Sequence, residues 1–361
     1  MSLKFRFILA FGFAVLGCSS SWAVPPTQVA PNPEIVTILL VAPHAVVAQQ
    51  QIETLSRRLE ESPFFEKMRL LPVVSQKEPN LALLEDLALN QGGLLAINGN
   101  RDPWLAVCGL RNEQLPLSSM VLPAQTELGD KWIHHYLEAF TAMQSGAFSE
   151  AFAILDKIFE KCDELTRQNL TPWTAVAANL KGNAEEATLK LRRLLENAES
   201  LHPAIRGASA SLLGSLLIHQ YLVSGAGLEE SEPLLLDAYD DLRGLAKYSA
   251  PRSWDLTRQQ IILSRFYTTR GEEGDLQRAL EFLEKAGELL DRETLPLSAA
   301  LCYADMGLVH LQLFRNGIKR DRNRLDANHR LRQAEEIFED LQMEGHAEAI
   351  EKIRRFFHTE F

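Results

Sequence analysis

A spacing of small and large side chains that recurs along the chain constrains the fold most. Gly146 is followed five residues later by Ala151, and then by aliphatic residues at Leu155 and Ile158. The same offsets recur 36 residues further on, at Gly182, Ala187, Leu191 and Leu194. A glycine permits a tight turn, and an alanine lets two helices approach closely. The pattern therefore predicts paired helices that stack on one another.

Fainter copies of this pattern begin near Leu213, Tyr267 and Met306, so that the repeats extend over about 130–345. The pattern resembles the tetratricopeptide repeat, in which ~34 residues form one helical hairpin. That resemblance implies about five hairpins and a capping helix within 130–361, arranged as a superhelix. A nonrepetitive helical bundle is the alternative.

The resemblance also implies a binding surface, because the first helix of each tetratricopeptide hairpin lines a groove that receives peptides. Aromatic, arginine and adaptable polar side chains suit such a groove. We aligned the repeats of this chain with the tetratricopeptide pattern and took the residues that fall at its groove-lining positions. The candidates are Tyr136, Phe140, Met143, Val176, Asn179, His219, Arg265 and Thr268. Some of them, notably Phe140 and Met143, could equally belong to the core between helices.

The segment 35–125 predicts alternating strands and helices instead. The β-branched run at 35–41 lies between two prolines and predicts a buried strand. Further strands are expected at 68–74, 94–97, 104–110 and 117–122, and helices at 47–59 and 81–88. The predicted fold class is therefore α+β overall, with a small N-terminal α/β domain followed by an all-α superhelix.

The order of features in this segment resembles one known type of domain. A strand and a helix lead to Phe64-Phe65, and a second helix leads through Gly92-Gly93-Leu94 to paired strands. This is similar to the small domain shared by curli-secretion lipoproteins, the TolB N-terminal domain and lipoprotein activators of peptidoglycan synthases. The resemblance implies no catalytic motif. A generic α/β domain fits the segment nearly as well.

The first 23 residues have the form of a secretory signal peptide. Lys4 and Arg6 precede an apolar run at 7–17, which is shorter than the about 20 residues that span a bilayer. The run ending at Cys18 resembles a lipobox, which implies a lipid-modified protein on the outer membrane, facing the periplasm. Cleavage after Ala23 is the rival interpretation. The proline-rich segment 24–34 predicts an extended linker.

Composition excludes several classes of partner. The chain has 37 Lys and Arg against 48 Asp and Glu, a net charge of −11. Binding to nucleic acid requires clustered cations, so neither DNA nor RNA is expected as a partner. The same balance argues against adhesion to an anionic lipid surface, and only the N-terminal lipid is expected to contact the membrane. Phosphate-binding and dinucleotide-binding motifs are absent from the sequence, and no cofactor is predicted.

The histidines and cysteines of the sequence do not form a metal-binding motif. His134 and His135 point about 100° apart on a helix and cannot ligate one ion in the manner of an H-E-x-x-H motif. No metal site is therefore predicted. Beyond Cys18, the chain holds Cys108, Cys162 and Cys302, which allow at most one disulfide.

Charged clusters leave two interpretations open. Three carboxylates at Asp237, Asp240 and Asp241 follow helical spacing and predict a solvated face, although paired carboxylates can also perform acid–base catalysis. The basic run 319–324 predicts a solvated loop, or else a docking point for an acidic partner or an anionic polymer.

These observations favour a protein that binds rather than catalyses. The leading hypothesis is a scaffold or assembly factor for envelope proteins or peptides. One alternative is a hydrolase of envelope polymers that uses the carboxylates of the helical half. Another is a sensor of small ligands or glycans built on the α/β domain.

Overall fold

The structure is a computed structural model of the 361-residue chain. It describes residues 35–42, 44–75, 95–98, 105–108, 119–121, 128–162, 164–246, 250–272, 274–290, 292–293 and 295–360. Some predictions lie outside the described residues. These are the leader 1–23 with Cys18, the linker 24–34 and the helix at 81–88.

The N-terminal part contains a mixed five-stranded sheet. Its strands are β1 (Val36–Ala42), β2 (Met68–Val74), β3 (Leu95–Asn98), β4 (Leu105–Cys108) and β5 (Ser119–Val121). The order across the sheet is β2-β1-β3-β4-β5. β1 pairs in parallel with β2 and β3, whereas β3 with β4 and β4 with β5 are antiparallel. Each strand overlaps a segment that the sequence predicts to be a strand.

Strand β1 lies inside this sheet, between β2 and β3. Ile38, Leu39 and Leu40 are fully buried, as the continuous apolar run of a strand covered on both faces predicts. Helix α1 (Ala45–Leu59) packs against β1 and β2 and buries Leu55 and Leu59. It ends before Pro63, because the residue preceding a proline resists helical geometry.

From Leu128 onward, the described regular elements are helices, in agreement with the predicted all-α character. They are α2 (Leu128–Gln144), α3 (Phe148–Lys161), α4 (Glu164–Leu180), α5 (Ala184–Leu195), α6 (Pro203–Ser224), α7 (Leu228–Ala246), α8 (Ala250–Arg270), α9 (Asp275–Leu289), α10 (Pro296–Arg315), α11 (Arg320–Asp340) and α12 (Glu344–Glu360). A single 3-10 turn, Ala198–Ser200, precedes α6.

One type of turn ends the first helix of both early hairpins. Gly146 adopts φ 76°, and the N–H of Ala147 donates to the carbonyl of Ala142 at 2.9 Å. Gly182 adopts φ 95°, and the N–H of Asn183 donates to Ala178 at 2.8 Å. A left-handed residue followed by this bond is the Schellman termination of a helix. The glycine spacing in the sequence therefore marks where the chain reverses.

The alanine that follows each turn lies where the two helices meet. Ala151 and Ala187, each five residues beyond its turn glycine, are completely buried, as are Leu155 and Leu191. The side chain of Asn183 accepts a hydrogen bond from the Glu186 N–H and so caps α5. Small residues at these positions allow close packing of the hairpin.

The chain divides into two compact units, which we call the sheet unit and the helical unit. The sheet unit comprises the described residues of Pro31–Ser209 together with Leu245–Arg252. The helical unit comprises Ala210–Gly244 together with Ser253–Phe361. The division falls within α6, near the end of α7 and within α8, so the change from strands to helices is not the boundary between the units.

Hairpins stack side by side in the sheet unit. On the first helices, the ring of Phe140 in α2 meets that of Trp173 in α4 edge to face, with 6.5 Å between centroids. On the second helices, Lys190 Nζ in α5 lies 3.2 Å from Asp156 Oδ1 in α3. First helix thus contacts first helix, and second helix contacts second.

The helical unit repeats this arrangement. Ser211 Oγ in α6 donates to Gln259 Oε1 in α8 at 2.5 Å. The next pair of first helices, α8 and α10, is joined by the ion pair of Arg265 with Asp305. The second helices α7 and α9 meet through the rings of Tyr239 and Phe282, whose centroids lie 5.5 Å apart.

Two glycines allow the closest helix approaches in the helical unit. A Cβ atom on Gly214 of α6 would lie 2.6 Å from Leu235 Cδ2 of α7. A Cβ atom on Gly307 of α10 would lie 2.6 Å from Leu331 Cγ of α11. The absence of a side chain at these positions lets a leucine of the partner helix sit against the helix backbone.

Candidate interaction surface

The five groove candidates in the sheet unit lie in its core. Tyr136, Phe140 and Met143 of α2 are at most 3 % exposed, and Val176 and Asn179 of α4 are also buried. The first helices are covered by their neighbours, so these side chains offer no surface to a peptide. The prediction that these residues line an open groove is therefore wrong. They belong to the core between helices, which was the alternative interpretation.

The three candidates in the helical unit have different surroundings. Arg265 is buried, and its Nε donates to Asp305 Oδ2 at 2.7 Å. Thr268 is buried and donates to the carbonyl of Ser264. His219 alone of the eight candidates is exposed. The groove prediction is therefore also wrong for Arg265 and Thr268, because the contact between α8 and α10 covers them.

The ion pair of Arg265 with Asp305 holds two first helices together. Both side chains are less than 10 % exposed. Burial raises the pKa of Asp305, and the facing guanidinium opposes that effect. Two buried charges require each other, because either one left alone would keep a large desolvation cost. The pair is a structural bridge rather than a ligand site.

The face of α10 that remains partly open consists of residues seven positions apart. Pro296, Tyr303 and His310 are half-buried, whereas the residues between them are buried. Seven residues make almost two helical turns, so the three side chains lie on one face. The same seven-residue spacing relates Ser298, Asp305 and Gln312, which are buried, so the spacing does not by itself identify the open face from sequence.

Residues of α11 border this face. The guanidinium of Arg330 lies 5.5 Å from the centroid of the Tyr303 ring, which is within range of a cation–π interaction. His310 Nδ1 lies 2.8 Å from Asn323 Oδ1, and Asn323 Nδ2 donates to the Ile318 carbonyl at 2.6 Å. The amide oxygen of Asn323 is therefore the acceptor and His310 Nδ1 the donor. We call Tyr303, His310 and Arg330 the Tyr303 face.

A network around Arg270 fixes the turn between α8 and α9. Arg270 donates through Nε and Nη2 to both oxygens of Asp275, at 2.8 and 2.7 Å, and through Nη1 to Glu232 at 2.6 Å. Burial opposes ionisation of Asp275, but Arg270 and the Glu272 N–H keep its pKa below the usual value. Burial and the carboxylate of Glu232 raise the pKa of Tyr267. The guanidinium of Arg270 thus joins α7, through Glu232, to the start of α9, through Asp275.

The carboxylates of α7 do not form a buried pair of the kind that acid–base catalysis uses. Asp237 and Asp240 are exposed, as are Glu229 and Glu230 near the start of the helix. Glu232 and Asp241 are partly buried, and Glu232 is bound to Arg270. Asp237 and Asp240 therefore match the solvated face that the helical spacing predicts, whereas Asp241 does not.

Histidine and cysteine are placed as structural residues. His135 Nδ1 lies 2.8 Å from Glu138 Oε2 one turn along α2. The described residues contain no group of three or more His, Cys, Asp or Glu side chains suited to a metal ion. Cys162 and Cys302 are buried thiols, and burial raises the pKa of Cys302.

Helix α10 is long and apolar enough to cross a membrane by length and composition. However, 94 % of its most apolar window is buried inside the chain. Its apolar surface is therefore used for packing in the helical unit.

Comparison of the chain with protein-family models, curated proteins and solved structures found no match.

Proposed function

We propose that the protein is an exported envelope protein, anchored to the outer membrane through acyl chains on Cys18, and that it binds other envelope proteins as a scaffold or assembly factor. The binding element is an array of hairpins similar to the tetratricopeptide repeat. The leader at 1–23 and the lipobox-like run before Cys18 support the export and anchoring steps.

One observation carries this proposal. Consecutive hairpins stack first helix on first helix and second on second, in both compact units. In repeat proteins, this stacking of each hairpin on its neighbours produces an extended surface suited to binding other chains. The Schellman turns at Gly146 and Gly182 support the same architecture.

The binding surface that we propose is the Tyr303 face, together with the exposed His219 in the same unit. It presents an aromatic ring, an arginine and an imidazole, and tyrosine and arginine are enriched among the residues that dominate binding energies. We propose this surface instead of the groove predicted from sequence, because the fold buries most of the groove residues.

Co-purification from the source cells tests the scaffold proposal. One arm uses the native chain, and the second carries Tyr303→Ala, His310→Ala and Arg330→Ala. A matched control carries Leu189→Ala, Leu289→Ala and Arg292→Ala, which remove exposed aliphatic and cationic side chains elsewhere. Circular dichroism must show that all three proteins are equally helical.

The proposal predicts that a defined set of envelope proteins accompanies the native chain and the control, and that the Tyr303-face variant loses it. Equal recovery by all three proteins would place binding elsewhere. If none of them recovers an envelope protein, the scaffold function is contradicted.

The anchoring step has a separate test. The intact mass of the native protein, extracted from membranes, should correspond to a chain that begins at Cys18 and carries acyl groups. A mass for an unmodified chain that begins at Val24 would contradict the lipid anchor, and would leave the scaffold proposal intact.

A further inference from the structure

The turn between α10 and α11 carries a dense group of exposed cations. Four basic residues fall within six positions, and the only carboxylate among them is Asp321. They are Lys319, Arg320, Arg322 and Arg324, all of them exposed. We call residues 316–325 the basic tip. Its charge is opposite to that of the whole chain.

The structure corrects the expectation that this run is a loop. Helix α11 begins at Arg320, directly after Lys319, which adopts a left-handed φ of 39°. The tip is held by the contact of Asn323 with the Ile318 carbonyl and by the guanidinium of Arg320 over the Phe314 ring. The turn that carries the cations therefore has a defined conformation.

The charges of α11 are placed against its own helix dipole. Carboxylates are favourable near the start of a helix and cations near its end. Helices α3 and α5 follow this rule, with acidic residues in the first turn and basic residues in the last. Helix α11 has Asp321 in its first turn, but Arg320, Arg322 and Arg324 of the basic tip outnumber it there, and the last turn contains no basic residue. An arrangement that disfavours the helix points to a role outside the folding of α11.

Exposed aliphatic side chains accompany the cations. Leu325 is 68 % exposed and Ile318 is 46 % exposed. Among residues 316–325, only Asn323 is buried, so the tip presents a convex surface rather than a pocket. A peptide partner would require a concave site for its anchoring side chains. Cations beside projecting aliphatic groups instead match the headgroup region of an anionic bilayer, where the cations meet phosphates and the aliphatic groups enter the acyl boundary.

We propose that the basic tip docks on an anionic phospholipid surface. The acidic composition of the chain does not oppose this, because screening limits the influence of distant charges to about 10 Å. The inference goes beyond the scaffold function and holds whether or not Cys18 is acylated. The tip would set the orientation of the helical unit on a membrane.

Vesicle co-sedimentation tests the proposal. Every arm uses the full chain with Cys18→Ala, so that no acyl group contributes, and the readout is the ratio of binding to two vesicle types. One type contains phosphatidylglycerol and phosphatidylethanolamine, and the other contains phosphatidylcholine alone. Apolar segments contribute to binding of both types, whereas cations favour the first. Lys4 and Arg6 of the leader are the same in every arm, so a difference between variants reports on the residues that were changed.

Two charge variants are compared. The tip variant carries Arg320→Gln, Arg322→Gln and Arg324→Gln. The matched control carries Arg292→Gln, Lys352→Gln and Arg355→Gln, which remove the same charge from other exposed positions. Loss of three cations near an anionic surface should lower the partition coefficient about a hundredfold. We expect this loss in the tip variant and not in the control. Binding of the parent chain to anionic vesicles should weaken as the salt concentration rises.

A third variant, Ile318→Ser with Leu325→Ser, should lose binding to anionic vesicles by an amount that salt does not change. Equal binding of the parent chain to both vesicle types would overturn the proposal, as would equal losses in the tip variant and the control. Binding to polyglutamate without binding to anionic vesicles would also overturn it, and would assign the tip to an acidic protein.

Discussion

Replacing Gly307 by alanine gives the most direct test of how closely the paired helices pack. The added Cβ would lie 2.6 Å from Leu331 Cγ and 2.7 Å from Leu331 Cδ2, both far inside normal contact distance. Overpacking of this kind costs about 1–3 kcal/mol. Replacing glycine by alanine within a helix also stabilises the helix by about 1 kcal/mol, because of the higher helix propensity of alanine. We therefore expect Gly307→Ala to destabilise the helical unit by about 1 kcal/mol on balance.

Gly244 provides the matched control. It lies in the same unit, within α7, and a Cβ there would meet no atom within 4 Å. Gly244→Ala should therefore stabilise the unit by about 0.5–1 kcal/mol through helix propensity alone. The opposite signs of the two changes separate the packing cost from the propensity gain.

Urea unfolding followed by circular dichroism measures both changes as shifts in the transition midpoint. A double-mutant cycle with Leu331→Ala removes the two clashing atoms. The Gly307→Ala cost should then fall by about 1–3 kcal/mol. If Gly307→Ala is as stabilising as Gly244→Ala, the helices do not approach as closely as the structure shows, and the packing argument for the hairpins is refuted.

Two further predictions concern buried polar groups. Asp305→Ala leaves Arg265 buried without its partner and should lower the free energy of unfolding, measured in urea, by about 3–5 kcal/mol. Asp305→Leu combined with Arg265→Met should lower it much less. Equal losses would show that the two residues are not coupled. Burial lowers the pKa of His346 from 6.5, so the folded chain binds fewer protons than the unfolded chain and stability falls as the pH drops through 6.5. His346→Leu should reduce this dependence by up to about 1.4 kcal/mol per pH unit, and an unchanged pH profile of unfolding would contradict the assignment.

The sequence was informative where a local rule determines the structure. Turn glycines at Gly146 and Gly182 require a left-handed backbone, and this requirement placed both hairpin reversals correctly. The β-branched run that became β1 was identified for a similar reason, since its composition fits a buried strand. Such features depend on a few neighbouring residues, and sequence displays them directly.

The candidate binding residues were not predictable in the same way. Arg265 looks like an exposed anchor in the sequence, and its partner Asp305 is 40 residues away. Only the stacking of α8 on α10 reveals that the two charges neutralise each other inside the core. Helical periodicity indicates which residues share a face, but it does not show which face a neighbouring hairpin covers.

The end of the repeat array shows the same limitation. The basic run 319–324 predicts a loop. Helix α11 instead begins at Arg320, and its Leu331 packs against Gly307. The helix includes most of this run, because 320–340 contains neither glycine nor proline to end it.

Site-specific photo-crosslinking in the source cells tests the central claim most directly. A photoreactive residue replaces Tyr303 in one strain and the exposed Leu189, on a helix of the other unit, in a second. The scaffold account predicts a discrete crosslinked envelope protein from position 303 and none of comparable yield from position 189. The same products at equal yield from both positions, or none from either, would contradict it.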